Sequence, residues 1–264
     1  MNAAMGIFTN ILCGLLLSVA GQLPHFEIQY RGDALTEKER DKVERMAQCE
    51  IQFFDSFAMP DTLRLTMTVF EASDEARAYV DSIRKGRAIM PLHLGGIYMH
   101  YRKEAVVFGL GADKNRNLST LYHEMCHFFL KSILKCHLPI WLNEGICEYF
   151  EHYTIGKKGA KHVMPEYDKG KIRTMFMLGE VNLKTFVGFD RQQFNTCAFQ
   201  DESASYVLAH ALVSLLIEEH PRELIHSILQ AFQQDEQACS YELLDKLYPG
   251  GFVRLETDFK NKYE

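Results

Sequence analysis

The chain has 264 residues, 47% apolar and 24% charged, enough to bury a substantial core without splitting into independent units. Its net charge is -6 and no basic run with interleaved aromatics occurs, which argues against nucleic acid as a partner. With no internal repeat or low-complexity tract, one domain is expected over residues 21–264, with a sheet-containing part at 21–155 and a helical part at 156–264.

Residues 1–26 carry no charged side chain, and the apolar run from Ile11 to Ala20 ends in the small residues Ser18-Val19-Ala20. This pattern predicts a signal peptide over 1–20 and an exported product, periplasmic or extracellular. Ten residues fall short of the roughly 20 that a membrane span needs, so membrane association is expected only if the segment is an uncleaved anchor. Of seven cysteines, six lie beyond this segment with no CxxC spacing; Cys126 and Cys147 read as small core residues packing helix on helix.

His25 to Tyr30 alternates as a strand, and Ala34 to Phe57 reads as a helix that is charge-rich at its start. Leu63 to Phe70 alternates again, with Leu63, Leu65, Met67 and Val69 on one face. Ser73 to Lys85 is a capped helix, and Gly95–Tyr101 and Glu104–Gly109 form two strands joined by a tight turn at Arg102-Lys103. Leu118 to Leu134 is the next helix, with Asn117 or Ser119 as N-cap; Pro139 then suits the first turn of another. Beyond Tyr153 the pattern is mostly helical. Gly156 to Gly159 reads as an exposed loop, and helices are expected near Glu166–Leu178, Ser203–Glu219, Arg222–Gln233, Ser240–Leu247 and Phe252–Lys262. The expected class is α+β: a small mixed sheet with helices, followed by a helical carboxyl-terminal part.

The most informative residues are His123-Glu124-Met125-Cys126-His127. Side chains four apart share a helix face, so His123 and His127 can direct two imidazole nitrogens at one point. Glu124, about 100° around the helix, can reach a metal-activated water without ligating the ion. Glu144 follows His127 after sixteen residues, on the second helix, and supplies a third ligand that leaves a position open. Glu148 and Glu151 compete for that place. Glu148, one turn after Glu144, also suits the acceptor of a hydrogen bond from the free N–H of His123.

The pair HEMCH and LPIWLNEGICEYFE resembles the gluzincin metallopeptidases, most closely the small peptidase-MA-like domain with its W-L-x-E-G helix. The resemblance spans most of residues 25–264. It implies one zinc ion per chain held by His123, His127 and Glu144, with Glu124 as general base for hydrolysis of peptide or protein substrates. It further implies Tyr206 as donor to the developing oxyanion, with His210 as the alternative. The edge strand beside the cleft, here Ala105, Val106, Val107, Phe108 and Gly109, would pair with substrate backbone. Cys147 stands where the family often has a small Ala. The alternative expectation is a metal-binding or partner-binding domain of the same fold without turnover.

Overall fold

The computed structural model describes residues 24–32, 34–84, 95–110, 118–157, 159–196 and 203–264. The expected segment 1–20, Cys13, Asn117 and Cys197 lie outside them. The described chain is α+β, as expected.

The amino-terminal part runs β1 (His25–Arg31), α1 (Glu37–Phe53), β2 (Thr62–Val69), α2 (Ser73–Arg84), β3 (Gly96–Met99) and β4 (Glu104–Val107). Helix α1 starts later than apolar periodicity suggests because Thr36 caps it: its hydroxyl accepts from the Glu39 N–H, and the Glu39 carboxylate accepts from the Thr36 N–H at 2.7 Å. The four strands lie in the order β1-β2-β4-β3, with β1, β2 and β4 parallel and β3 antiparallel to β4. Strand alternation then distributes the core. Leu63, Leu65, Met67, Ala105 and Val107 join the main core, while Val106 and Phe108 join a smaller cluster with Ala76 and Val80 of α2.

This order corrects one expectation. The segment Ala105, Val106, Val107, Phe108 and Gly109 is not a sheet edge: Ala105, Val106 and Val107 lie in β4, paired on both sides, and Phe108 and Gly109 follow its end. The chain doubles back through residues 100–103, which puts the earlier strand, β3, outside.

Next come α3 (Ser119–Phe129), a π-helical turn at Leu130–Leu134, and α4 (Ile140–Glu151). The wide turn replaces the uniform helix expected to Leu134, keeps Leu130, Ile133 and Leu134 buried, and ends at Lys135 with φ of 57°. Leu118, not Asn117 or Ser119, occupies the N-cap of α3, and its side chain makes no cap bond; Ser119 is the first helical residue. The loop expected at Gly156 to Gly159 joins the two strands of a hairpin that the helical reading beyond Tyr153 did not include, β5 (Tyr153–Gly156) and β6 (Gly159–His162). Gly159, at φ 123°, permits the reversal. Then follow α5 (Glu166–Met177), the short α6 (Leu183–Phe186) and α7 (Arg191–Asn195), α8 (Ala204–Glu218), α9 (Arg222–Gln234), α10 (Ser240–Leu247) and α11 (Gly251–Tyr263). Among the described residues no helix is long and apolar enough to cross a membrane.

Helix α4 is wedged between α3 and α8. Trp141 at its start is fully buried and donates its indole N–H to Ser240 of α10 at 3.1 Å. At Gly145, a Cβ would stand 2.6 Å from the Ala209 carbonyl oxygen and 2.7 Å from Val213 Cγ2, so only glycine permits this approach. Gly145→Ala is therefore expected to cost at least about 2 kcal/mol. Gly170→Ala in α5, where a Cβ meets nothing within 4 Å, should instead gain about 0.5–1 kcal/mol. Urea denaturation of both variants measures the contrast.

Candidate metal centre

Helices α3 and α4 bring His123, His127 and Glu144 to the floor of a cleft of about 610 Å³. Glu144 Oε2 lies 3.5 Å from His123 Nε2 and 3.4 Å from His127 Nε2. Ligand atoms on a tetrahedral ion with bonds of about 2.0–2.1 Å stand about 3.4 Å apart, so this spacing matches two edges of such a site. The donors, two imidazoles and one carboxylate, also suit a divalent ion with a position left open.

Among the described residues, three groups bring ligand atoms within 4.8 Å of one another: His123/His127/Cys147, His123/Glu148/Glu151 and Glu148/His152/His210. The first places the cysteine behind the histidine, for Cys147 Sγ contacts Nδ1 of His127 at 3.1 Å while Nε2 faces Glu144. The third is a stack: the His152 and His210 rings lie 4.5 Å apart and 22° from parallel, so their in-plane lone pairs do not converge. Glu144, with Oε2 against Nε2 of both histidines, is the third donor that faces the cleft.

The free nitrogen of His123 meets a different carboxylate from the one expected. Nδ1 lies 2.8 Å from Glu151 Oε2 and 3.5 Å from Glu148 Oε1. The contact with Glu151 is an ion-pair distance without straight hydrogen-bond geometry. Glu151, seven residues from Glu144, returns to the same helix face, and Ser119 fixes it by donating to Oε1 at 3.0 Å. Glu148 turns toward His152, at 3.6 Å. The Glu144–Glu148–Glu151 spacing on α4 was the sequence signal for this role; which carboxylate takes it depends on where His123 points.

Burial penalises every charge here, and the partners decide the direction. Burial raises the pKa of Glu144, but His127 and His123 outweigh it and hold the carboxylate well below the usual range. Burial lowers that of His123, yet Glu144 and Glu151 raise it well above the ordinary imidazole value. Glu124 has its pKa raised, chiefly by burial. It lies against β3, where a Cβ on Gly96 would stand 2.9 Å from its Cγ and 3.0 Å from Oε1. The edge strand thus touches the candidate base, which no single-residue signal in the sequence announces. Behind α3, Glu50 is buried with neither carboxylate oxygen hydrogen-bonded, and burial followed by Cys126 pushes its pKa well up.

Tyr206 of α8 lines the cleft and packs edge-on against Phe194, centroids 5.1 Å apart. Burial, then Glu144, raises its pKa, so the phenol stays protonated. Arg191, which the sequence reading did not single out, reaches 3.7 Å from Glu144 Oε1. His210 does not line the cleft. One turn beyond Tyr206, it is fully buried beneath the β5–β6 hairpin, 2.8 Å from His162 Nε2, whose Nδ1 contacts Glu218 at 2.6 Å. That position removes it as an alternative oxyanion donor.

Compared with family models and with curated proteins, the chain matches none.

Burial, reinforced by His152 and His162, holds the His210 pKa down to about 2, against 6.5 for an ordinary histidine. Below pH 6.5 the unfolded chain takes up a proton that the folded chain refuses, so stability falls with acidification; above pH 6.5 there is no effect. Between pH 6 and 4, wild-type stability should fall faster than that of His210→Gln, by up to about 1.4 kcal/mol per pH unit. Denaturation at a series of pH values tests this.

Proposed function

We propose that this protein is a zinc-dependent peptidase of gluzincin type. One observation carries the reading: Glu144 Oε2 sits within 3.5 Å of both His123 Nε2 and His127 Nε2, beside the buried Glu124, in a cleft bounded by the outer strand β3. A purely structural site has no use for a base beside an open position.

Zinc, held by His123, His127 and Glu144, would supply Lewis acidity that makes water nucleophilic near neutral pH. Glu124 takes the proton of the attacking water and passes it to the leaving amine; its raised pKa brings the carboxylate closer to the value a proton shuttle needs. Tyr206 donates its phenolic proton in a hydrogen bond as negative charge develops on the carbonyl oxygen, without changing its own charge. Strand β3, with one side unpaired by the described sheet, offers backbone groups to an extended peptide by strand addition. Gly95 and Gly96 keep its approach to Thr120 and Glu124 free of side chains.

Purified protein is expected to hold one zinc per chain, and His123→Ala or His127→Ala to abolish binding. Glu124→Gln should retain zinc and fold while losing cleavage of an unbiased peptide library. Metal analysis with library cleavage decides: full zinc with no cleavage by wild type would favour a non-catalytic metal-binding or partner-binding domain.

Tyr206→Phe should lower kcat by about 100-fold or more with KM and zinc content nearly unchanged. Steady-state kinetics on any library peptide that is cleaved provide the measurement, and an unaltered kcat would remove Tyr206 from the mechanism.

A further inference from the structure

We infer that Cys147 is a positioning residue for the metal centre: its buried sulfur is the hydrogen-bond partner that fixes the ring of His127. This rests on the zinc reading above and concerns how the ligand is held.

The geometry leaves His127 one arrangement for binding. Its Nε2 faces Glu144 Oε2 at 3.4 Å, on the cleft side, and its Nδ1 lies 3.1 Å from Cys147 Sγ, on the helix-packing side. For Nε2 to present a lone pair to a cation, the ring proton must sit on Nδ1, which becomes a donor needing an acceptor. Cys147 Sγ is in place to accept. It is fully buried, three residues after Glu144 on α4, so the helix that supplies the third ligand also steadies the second.

His123 has a different partner. Its Nδ1 faces the carboxylate of Glu151, which only accepts. A thiol does both. Before metal binding, Cys147 can donate S–H to Nδ1 while His127 Nε2–H points at Glu144; on binding, the proton moves to Nδ1 and the sulfur accepts. Each tautomer of His127 thus keeps a partner, and neither leaves a buried polar atom unpaired.

The test is zinc affinity, measured by competition with a chromophoric chelator on the full chain, with circular dichroism as the check on folding. Cys147→Ala removes the sulfur, Cys147→Val fills the space without an acceptor, and Cys147→Ser restores a group that both donates and accepts. Ala and Val variants should bind zinc about 10–100-fold more weakly, with Ser within about fivefold of wild type. Cys239→Ala, which removes an exposed thiol at the start of α10, should leave affinity unchanged. Equal affinity in wild type, Ala and Val overturns the inference, as does a Ser variant no better than Val, because packing alone would then account for Cys147. Wild-type protein that binds no zinc would overturn the metal reading and this inference with it, a failure visible before any variant is made.

Discussion

The site depends on how closely α4 can approach α8. Glu144 must reach across to a point fixed by the i, i+4 histidines of α3, and Gly145, the next residue, is pressed against Ala209 and Val213 with no room for a Cβ. Trp141 anchors the same helix from its first turn through Ser240. Helix–helix packing, not the motif residues alone, therefore sets the 3.4 and 3.5 Å spacings that bring the three side chains together.

That packing also concentrates charge. Glu124, Glu144, Glu148 and Glu151 lie around two imidazoles in a low-dielectric cleft, and their pKa values diverge according to their neighbours. Glu144 is held ionised by the histidines. Glu148, penalised by burial and by Glu151, is pushed upward, whereas Glu151, close to His123, is held down. A divalent cation would offset the excess negative charge, and the helices pre-order the groups so that little reorganisation is needed when it binds. The histidine stack beneath obeys the opposite rule: burial, then His152 and His162, hold His210 neutral.

Much of the fold was legible from periodicity because its elements bury one face each. Helices α8 to α11 and strands β1 and β2 lie close to where their apolar spacing predicted them. Misreadings came where pattern is short or local chemistry competes. The hairpin β5–β6 has four-residue strands around a lysine turn, and α6 and α7 have four and five residues, too few to show a period. The edge strand was misassigned because alternation marks a strand's faces, not its neighbours; pairing order depends on how the chain crosses the sheet.

For the candidate site, the sequence by itself determined the spacing of His123, Glu124 and His127 on one helix and placed Glu144 on the next, because a helix has a fixed rotation per residue and local register needs no tertiary information. Only the tertiary structure decided that Glu151 faces His123, that Cys147 stands behind His127, that His210 leaves the cleft while Tyr206 enters it, and that β3 is an outer strand of the described sheet. Those relations join residues on separate elements, and their distances follow from packing close enough to exclude a single methyl group at Gly145.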